Sequence, residues 1–373
     1  MISYWQSRNK EKYDHIIIGG GISGLSIAYH LTKRFPNKKI ALLEKNDLFY
    51  GASGRNAGFL TIGSMNYCSD LINKSENFIG DISDNISYMK RNISNIYETE
   101  KSEGALSLAY SEEELDRYVG TAEKLRKYSD FEIVSSYNLK KEGINAFGAV
   151  RYLNEGSINP MNLLKFLENS VKGNIDFFYG EDVYDISGNT VLTRDREFLS
   201  EHIYIATNIY TNNINFKNKD SLSLTPARNQ VIAYQCDKFY LKSIAYSSKH
   251  FTYFRQTPDN VLILGGARIE DIEGETTIQL GPNEKILSSL KKFAENELSL
   301  INKKILREWS GIMAYTKDGL PLVGSLSDNI HILAGMNGHG MGVSFPYSKK
   351  LIDYVFDGIK LHREIDVKRF IPE

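Results

Sequence analysis

Residues 13–44 read YDHIIIGGGISGLSIAYHLTKRFPNKKIALLE, and this stretch predicts a strand, a glycine turn, a helix and a second strand. The apolar run before the glycines is typical of a short buried strand. Apolar side chains then recur at helical spacing until Phe35-Pro36-Asn37, which ends the helix. Residues 40–43 predict the second strand, and Glu44 follows at its carboxyl end.

The order of these elements gives each part of the glycine turn a physical role in binding a dinucleotide. Gly19 permits the tight turn, Gly21 lets the backbone approach a pyrophosphate, and Gly24 lets the helix pack closely on the strand. The first N–H groups of the helix face the phosphates, and Glu44 can accept hydrogen bonds from a ribose. The stretch predicts a dinucleotide site and leaves open whether the cofactor carries a nicotinamide or a flavin.

A second glycine-rich turn lies near the end of the chain. The strand predicted at His331-Ile332-Leu333-Ala334-Gly335 is followed by MNGHGMG at residues 336–342, and a helical pattern resumes at Val343. Alternating glycines before a helix form a concave set of backbone N–H groups. Reduced flavin carries negative charge near N1 and the C2 carbonyl, and the partial positive charge of a helix start stabilises that charge. The second turn therefore favours a flavin.

Composition and charge exclude several classes of function. A length of 373 residues predicts two domains, and a net charge of −1 gives no basic stripe for nucleic acid. No apolar run approaches the length of a membrane span, and residues 1–12 lack the apolar core of a signal peptide. Cys68 and Cys236 lie far apart in no metal-like spacing, which predicts neither a disulfide framework nor a metal site and favours a reducing, cytoplasmic location.

The remaining pattern predicts an α/β protein with two parts. Residues 66–147 are largely helical in pattern, residues 161–171 predict a helix, and residues 286–298 predict another. The predicted strands are 176–179, 181–184, 202–206, 230–235, 251–255 and 261–264, and the last three form an antiparallel sheet. We predict a Rossmann-like FAD-binding domain of the glutathione-reductase type, and a substrate domain built from an antiparallel β-sheet plus helices. The first comprises residues 1–65, 148–225 and 306–373, and the second comprises residues 66–147 and 226–305.

Several motifs together resemble the D-amino-acid-oxidase-like (DAO) family of FAD-dependent oxidoreductases, which includes sarcosine, glycine and γ-glutamylputrescine oxidases. The matching pieces run nearly end to end: Ser3-Tyr4-Trp5, the turn at 19–24, Gly51-Ala52-Ser53-Gly54-Arg55-Asn56-Ala57-Gly58, residues 155–160, residues 205–208, residues 315–321 and Gly338-His339-Gly340. The Ser-Gly-Arg-Asn loop and the Gly-His-Gly turn are most similar to the γ-glutamylputrescine oxidase branch.

The resemblance implies which residues hold FAD, and that they hold it without a covalent bond. Monomeric sarcosine oxidases tether the flavin to a cysteine at the position of Met313, and relatives with a histidine tether place it near Arg55-Asn56. Neither tether residue is present here. The residues implied to contact FAD are Gly19, Gly21, Ile22, Ser23, Gly24, Glu44, Lys45, Ser53, Gly54, Arg55, Asn56, Ala57, Gly58, Val183, Ala206, Thr207, Gly311, Gly338, His339, Gly340, Met341 and Gly342. Of these, residues 19–45 serve the ADP half, Val183 the adenine side, and residues 53–58 and 338–342 the flavin.

The resemblance also implies oxidation of an amine C–N bond, in which the flavin accepts a hydride. The candidate catalytic residues are His339, Arg255 and Tyr315. His339 is either a base or oxygen-side group, or a hydrogen-bonded turn histidine. Arg255 is either an ordinary strand-end arginine or a group near the oxygen-activating lysine of sarcosine oxidases. Tyr315 and Tyr253 either form an aromatic wall for the substrate or pack in the core.

Two departures from the family pattern bear on the substrate. By that resemblance, glycine oxidase binds a carboxylate with arginines at the positions of Met313 and Gly338, and their replacement argues against an α-amino acid substrate. We predict a secondary amine or a substituted polyamine as the substrate, with oxygen as the electron acceptor. Arg228 and Arg268 could bind an anionic group remote from the amine. Two alternatives stay open: a 2-hydroxy-acid or glycerol-phosphate type dehydrogenase that passes electrons to a quinone, and a binding module with structural FAD.

Overall fold

A computed structural model describes residues 10–72, 74–97, 102–238, 240–300 and 303–371, so the Ser3-Tyr4-Trp5 motif lies outside the described residues. The strands, in chain order, are β1 (Glu11–Ile18), β2 (Ile40–Glu44), β3 (Phe59–Leu60), β4 (Ala105–Ala109), β5 (Phe131–Ser135), β6 (Gly148–Tyr152), β7 (Gly156–Ser157), β8 (Asp176–Tyr179), β9 (Val183–Ser187), β10 (Thr190–Thr193), β11 (Glu197–Ile205), β12 (Thr225–Gln235), β13 (Ile244–Ser247), β14 (Thr252–Gln256), β15 (Val261–Gly266), β16 (Ile305–Tyr315), β17 (Leu322–Ser325) and β18 (Ile330–Ala334). The helices are α1 (Ile22–Arg34), α2 (Met65–Ile72), α3 (Glu76–Asn92), α4 (Ser94–Tyr97), α5 (Glu112–Leu125), α6 (Ser136–Lys141), α7 (Pro160–Val171), α8 (Glu284–Leu298) and α9 (Gly340–Asp357).

The chain forms two compact units. Unit 1 comprises Met1–Gly54, Met161–Pro226 and Met313–Glu373, and unit 2 comprises Arg55–Pro160 and Ala227–Ile312.

Unit 1 is built on a mainly parallel sheet. Its parallel strands lie in the order β18-β11-β1-β2-β8, with β17 antiparallel beside β18. Ile16, Ile17 and Leu42 are fully buried, as expected of strands covered on both faces. Because α1 follows β1 and α9 follows β18, both helices begin at the carboxyl edge of this sheet. The two helices also touch, and the Ser23 hydroxyl donates to Ser344 Oγ over 3.1 Å.

Unit 2 is built on a largely antiparallel sheet in the order β16-β12-β15-β14-β13-β4-β6-β5, in which β13 and β4 are parallel. The turn predicted between β14 and β15 is present, and it pairs Phe254 with Leu264. The apolar face of α8 is buried on this sheet, where the Phe254 and Phe293 rings lie 5.9 Å apart. Each large side chain buried in this way stabilises the fold by about 1.5–3 kcal/mol.

The prediction of a parallel cofactor-type sheet plus an antiparallel sheet is confirmed, with two differences in detail. Residues 66–147 are mainly helical as predicted, but they also contain two strands that were not predicted, β4 and β5. The strand predicted at 181–184 begins only at Val183. Glu181 is used differently, because its carboxylate accepts from Thr193 and pairs with Arg196.

The boundary between the units also differs from the predicted domain boundary. Residues 55–65 and 148–160 belong to unit 2, because β3 pairs with β7 and β6 pairs with β4 and β5. Which part binds the cofactor and which the substrate stays a prediction. Within the described ranges, no helix is long and apolar enough to cross a membrane, and no acidic, histidine or cysteine cluster could hold a metal ion.

Candidate functional site

The glycine turn after β1 is closed by the backbone of its neighbours. Gly19 has a φ of +108°, and a Cβ at this position would lie 2.6 Å from the carbonyl oxygen of Ala206. A Cβ on Gly24 would lie only 1.9 Å from the carbonyl oxygen of Gly19. Both positions therefore require glycine, one for the approach of β11 and the other for the approach of α1 to the turn. Ala206 itself is held by its N–H, which donates to the Ile18 carbonyl.

The start of α1 is held by Ser53 and kept narrow by Gly21. Gly21 is the N-cap residue and supplies no side-chain bond. Ser53 Oγ accepts from the Ile22 N–H over 2.9 Å, and a Cβ on Gly21 would lie 2.9 Å from the same oxygen. Backbone N–H groups and the partial positive charge of the helix therefore meet at an edge without bulky side chains, which is what a phosphate requires. Gly54 closes the adjacent turn, because a Cβ there would lie 2.2 Å from the Phe49 carbonyl oxygen.

Glu44 lies beside this turn, at the end of β2. Its Oε2 accepts from the Gly20 N–H over 2.6 Å, and its Oε1 accepts from the Asn46 N–H over 2.9 Å. Burial raises the pKa of the carboxyl, while these backbone donors favour the ionised form. A carboxylate offers about four acceptor sites, so Glu44 retains capacity for ribose hydroxyls. The Lys45 side chain points to solvent and pairs with Asp182 over 2.9 Å.

Two further predicted contacts lie at the same edge of unit 1. The Glu181 N–H donates to the Glu44 carbonyl, which brings the start of β9, and with it the buried Val183, near the end of β2. Thr207 follows β11, and its hydroxyl lies 3.0 Å from that of Thr211.

The second glycine turn is held by Asn337, which the sequence pattern did not predict. Asn337 is buried with a φ of +49°, its Oδ1 accepts from the Thr316 N–H over 3.0 Å, and its Nδ2 donates to the Gly335 carbonyl over 2.6 Å. Asparagine tolerates this left-handed conformation better than most residues, so its place between two glycines was the available signal. α9 then begins at Gly340, with Met341 and Gly342 buried in its first turn.

His339 is the N-cap residue of α9, and its side chain makes no capping bond to the helix. Its Nδ1 lies 3.0 Å from the Asn337 carbonyl oxygen, which can only accept, so Nδ1 carries the proton. Burial lowers the pKa of the imidazole to about 4. His339 is therefore neutral at physiological pH and holds a proton poorly, and its catalytic role stays a prediction.

Met313 and Tyr315 lie next to this turn, at alternate positions of β16. A Cβ on Gly338 would lie 3.4 Å from Met313 Sδ and 3.8 Å from the Tyr315 hydroxyl oxygen. The neighbourhood of the second turn thus contains a thioether and a phenol.

In unit 2, the loop at 55–58 is fixed by β16. Trp309 Nε1 donates to the Arg55 carbonyl over 2.9 Å, and Arg55 Nη1 donates to the Ser310 carbonyl over 3.3 Å. A Cβ on Gly311 would lie 3.2 Å from Arg55 Cβ, so glycine allows Arg55 to lie on the strand. Arg55 and Gly311 are thus brought together as packing partners, and their predicted contact with the flavin is not tested.

The same loop continues into a turn that needs Gly58. Asn56 Oδ1 accepts from the Gly58 N–H over 2.8 Å. Gly58 has a φ of +75°, and a Cβ there would lie 1.9 Å from the Ile158 carbonyl oxygen. Arg255 also holds this loop in place, and its side chain is only 4% exposed. Its Nε donates to the Ala57 carbonyl over 2.6 Å, and its Nη1 donates to Ser157 Oγ over 3.2 Å.

Three aromatic side chains cluster beside this loop. The Phe59 ring stands edge-on to Tyr246 at 5.3 Å and to Tyr253 at 5.7 Å. Tyr246 and Tyr253 face each other across β13 and β14. Of these three, the sequence pattern singled out only Tyr253, because Tyr246 joins it through the pairing of β13 with β14 and Phe59 through a ring contact.

These features fit FAD. The first turn offers phosphate-binding N–H groups beside a carboxylate suited to a ribose, and the second turn places another helix start at the carboxyl edge of the same sheet. When bound, FAD supplies the hydride acceptor that no side chain can provide.

Comparison with known proteins agrees with this fit. Residues 14–354 match the family model described as DAO, FAD dependent oxidoreductase. Gamma-glutamylputrescine oxidoreductase of Escherichia coli (strain K12) is 24% identical over 356 residues, which cover 88% of this chain and 80% of that protein. Glycine oxidase of Bacillus subtilis (strain 168) is 23% identical, with 87% of each chain covered. The crystal structure of glycine oxidase from Geobacillus kaustophilus has a TM-score of 0.82 at 19% identity, covering 97% of this chain and 100% of that chain. The chain therefore belongs to the DAO family of FAD-dependent oxidoreductases, as an enzyme of the amine and amino acid oxidase type.

Proposed function

We propose that this chain oxidises the C–N bond of an amine that carries no carboxylate on its reacting carbon, such as a secondary amine or a substituted polyamine. The cofactor is non-covalent FAD and the electron acceptor is oxygen. One observation carries this proposal: the side chains nearest to Gly338 are those of Met313 and Tyr315, a thioether and a phenol. A buried carboxylate without a bidentate partner costs several kcal/mol, so a carboxylate there would be rejected.

The arginines that could replace the missing clamp are already engaged. Arg228 bonds Glu275 through Nε and Nη2, and it also donates to the carbonyls of Gln279 and Gly274. Arg255 is held by Ala57 and Ser157 in the interior of unit 2. To bind a substrate, each arginine would have to break the hydrogen bonds that it now donates. A hydrogen bond from a charged donor contributes about 1.5–3 kcal/mol. Arg268, whose Nη2 donates to Thr276, keeps its predicted role as a distal anion site.

The chain's own residues position the reactants. The first turn and Glu44 hold the ADP half of the cofactor, and the start of α9 supports the charge that develops at the flavin. Met313 and Tyr315, beside the second glycine turn, hold the substrate. The amine must be neutral to react, so the protein must also accept a proton from it. The expected cytoplasmic location remains a prediction.

An anaerobic screen of the yellow holoenzyme tests the function by loss of flavin absorbance. γ-Glutamylputrescine and N-alkylated amines are compared with sarcosine, glycine, D-alanine, a 2-hydroxy acid and glycerol phosphate, and oxygen uptake is then measured with the substrates that react. We expect reduction by the amines without an α-carboxylate, followed by oxygen consumption. Glycine or D-alanine as the best substrate by kcat/KM would refute the proposal. Reduction by the hydroxy acid or by glycerol phosphate alone would identify the dehydrogenase, and reduction by none would indicate structural FAD.

A matched pair of variants tests the missing clamp directly. Met313→Arg should raise kcat/KM for glycine relative to the best amine by roughly tenfold to a hundredfold, the effect of a charged hydrogen bond. Met313→Leu keeps the size and removes the sulfur, and it should leave the preference unchanged. An unchanged preference in Met313→Arg would show that the carboxylate is selected elsewhere.

A further inference from the structure

One edge of the unit 2 sheet is open. The sheet ends at β16 on one side and at β5 on the other. The β16 edge is covered, because Arg55 Nη1 donates to the Ser310 carbonyl and the loop at 55–58 lies on this strand. In the part of the chain that the structure describes, β5 pairs only with β6. One row of β5 backbone groups therefore has no strand beside it.

The pairing of β5 with β6 shows which of these backbone groups point outward. The two strands are antiparallel, and just beyond them the Leu153 N–H donates to the Asp130 carbonyl over 3.0 Å. Along an antiparallel strand, the N–H and C=O of every second residue face the same neighbour. Because the Asp130 carbonyl faces β6, the even-numbered residues of β5 face β6 as well. The residues whose N–H and C=O face away from β6 are Phe131, Ile133 and Ser135.

β5 lacks the features that keep natural edge strands from pairing, which are proline, lysine and β-bulges. Its sequence is FEIVS, and its register with β6 has no bulge. Its one charged side chain, Glu132, is neutralised by Arg151, whose Nη1 lies 2.8 Å from the carboxylate. The Ile133 side chain is 57% exposed, and Tyr137, just after the strand, is 68% exposed. This edge is therefore apolar and suited to the addition of another strand.

The open edge is complementary to a second copy of itself. With a two-fold axis at Ile133, each Ile133 lies opposite Ile133 of the second copy, and the two residues exchange two backbone hydrogen bonds. The Ser135 N–H lies opposite the Phe131 carbonyl of the second copy, which adds one hydrogen bond on each side of the axis. Glu132 faces Val134 of the second copy, so no like charges lie directly opposite each other.

We propose that this chain forms a two-fold dimer in which the β5 strands of two copies pair and join their unit 2 sheets. The register is specific: an axis at Glu132 would place two carboxylates opposite each other, and an axis at Val134 would leave Phe131 without a strand residue opposite it. A contact of five residues a side is smaller than the roughly 800 Å² per partner of a typical stable interface, so we expect a dimer that dissociates on dilution. The inference does not depend on the proposed amine oxidation.

Analytical ultracentrifugation of the holoenzyme, over about a hundredfold range of concentration, measures the dimer Kd. Ile133→Lys and Ile133→Glu each place like charges opposite each other and remove a buried apolar contact, so each should raise Kd by at least about a hundredfold. An equimolar mixture places Lys opposite Glu and should associate about tenfold more tightly than either variant alone. Ile133→Val is the control and should dimerise like the wild type. Flavin content and Tm show that each variant is folded.

Hydrogen exchange at residue resolution tests the strand pairing in the wild type. The Ile133 and Ser135 amides should exchange at least about tenfold more slowly in concentrated than in dilute holoenzyme, because the second copy accepts their hydrogen bonds. The Glu132 and Val134 amides are matched controls. They point to β6 in the monomer and in the dimer, so their exchange rates should not depend on concentration.

Several results would overturn the proposal. A wild type that stays monomeric over the whole range has no such dimer. A dimer that both charged variants retain uses another surface. Loss of the dimer in each variant without recovery in the mixture, or exchange at Ile133 that does not slow with concentration, would show that the two β5 strands do not pair. Each of these failures leaves the proposed function standing, because that function is measured separately by flavin reduction.

Discussion

Glu44 shows how one side chain can serve both the fold and the cofactor. Its carboxylate accepts from Gly20 and Asn46, and the acceptor sites that remain suit ribose hydroxyls. Glu44→Ala should weaken FAD binding by roughly 1–3 kcal/mol, the cost of losing a charged hydrogen-bond partner. The measurement is a titration of the apoprotein with FAD, in which the quenching of flavin fluorescence reports binding. Lys45→Ala is the control, since this side chain pairs with Asp182 in solvent. Unchanged affinity in Glu44→Ala would mean that the ribose lies elsewhere.

Arg255 and Asn337 mark the limit of what single residues reveal from sequence. Arg255 donates to the carbonyl of Ala57, 198 positions away along the chain. No local pattern encodes such a contact, so a strand-end arginine, a catalytic group and a loop anchor look alike in the sequence. Gly24 was predictable because the turn that constrains it is adjacent in the chain, and Gly19 because it opens that same turn; the contact of Gly19 with Ala206 was not predictable in this way.

Among the elements, β1, β11 and β18 bring three histidines into one stack. The His15 and His202 rings lie 5.5 Å apart, and His202 Nδ1 lies 3.1 Å from His331 Nε2. Burial lowers the pKa of His15 to about 4 and that of His331 to about 3, and it also lowers the pKa of His202. The three imidazoles are therefore neutral in the folded protein, whereas the pKa of a histidine in the unfolded chain is about 6.5.

The stack predicts a loss of stability in acid. Between about pH 6.5 and pH 4 the unfolded chain binds more protons than the folded one, so the free energy of unfolding falls as the pH falls through this window. Within the part of the chain that the structure describes, neither ring nitrogen of His15 has a hydrogen-bond partner, so His15→Phe loses no hydrogen bond. We expect this variant to lose less Tm between about pH 7.5 and pH 5 than the wild type.

Thermal melting at both pH values makes this comparison, and His362→Gln serves as the control because His362 is exposed. Acid sensitivity of His15→Phe equal to that of the wild type would show that other groups cause the loss.

The elements differ in how well local sequence predicts them. β1, α1 and β2 were predicted because an apolar run, a glycine turn and a helical period follow one another without interruption. β4 was missed, because its five residues are all buried and show no alternation. Its parallel partner, β13, begins 139 residues after β4 does, so the pairing that makes it a strand is not local.

At the scale of the molecule, the state of the two thiols indicates that FAD is bound without a covalent bond and leaves the denatured protein intact. Both cysteines, Cys68 and Cys236, are free and buried, and burial raises the pKa of each thiol. A thiol reacts as its thiolate, so neither group is suited to attack a flavin. The family position for a cysteine tether holds Met313, which cannot form that bond.

Acid precipitation of the yellow protein should therefore release all of the FAD into the supernatant, as measured by its absorbance and fluorescence. The variant with Cys68→Ser and Cys236→Ser should release the same fraction, because neither sulfur takes part. Colour that stays in the wild-type pellet would reveal a covalent bond, and a colourless pellet from the double variant would then assign that bond to one of the two thiols.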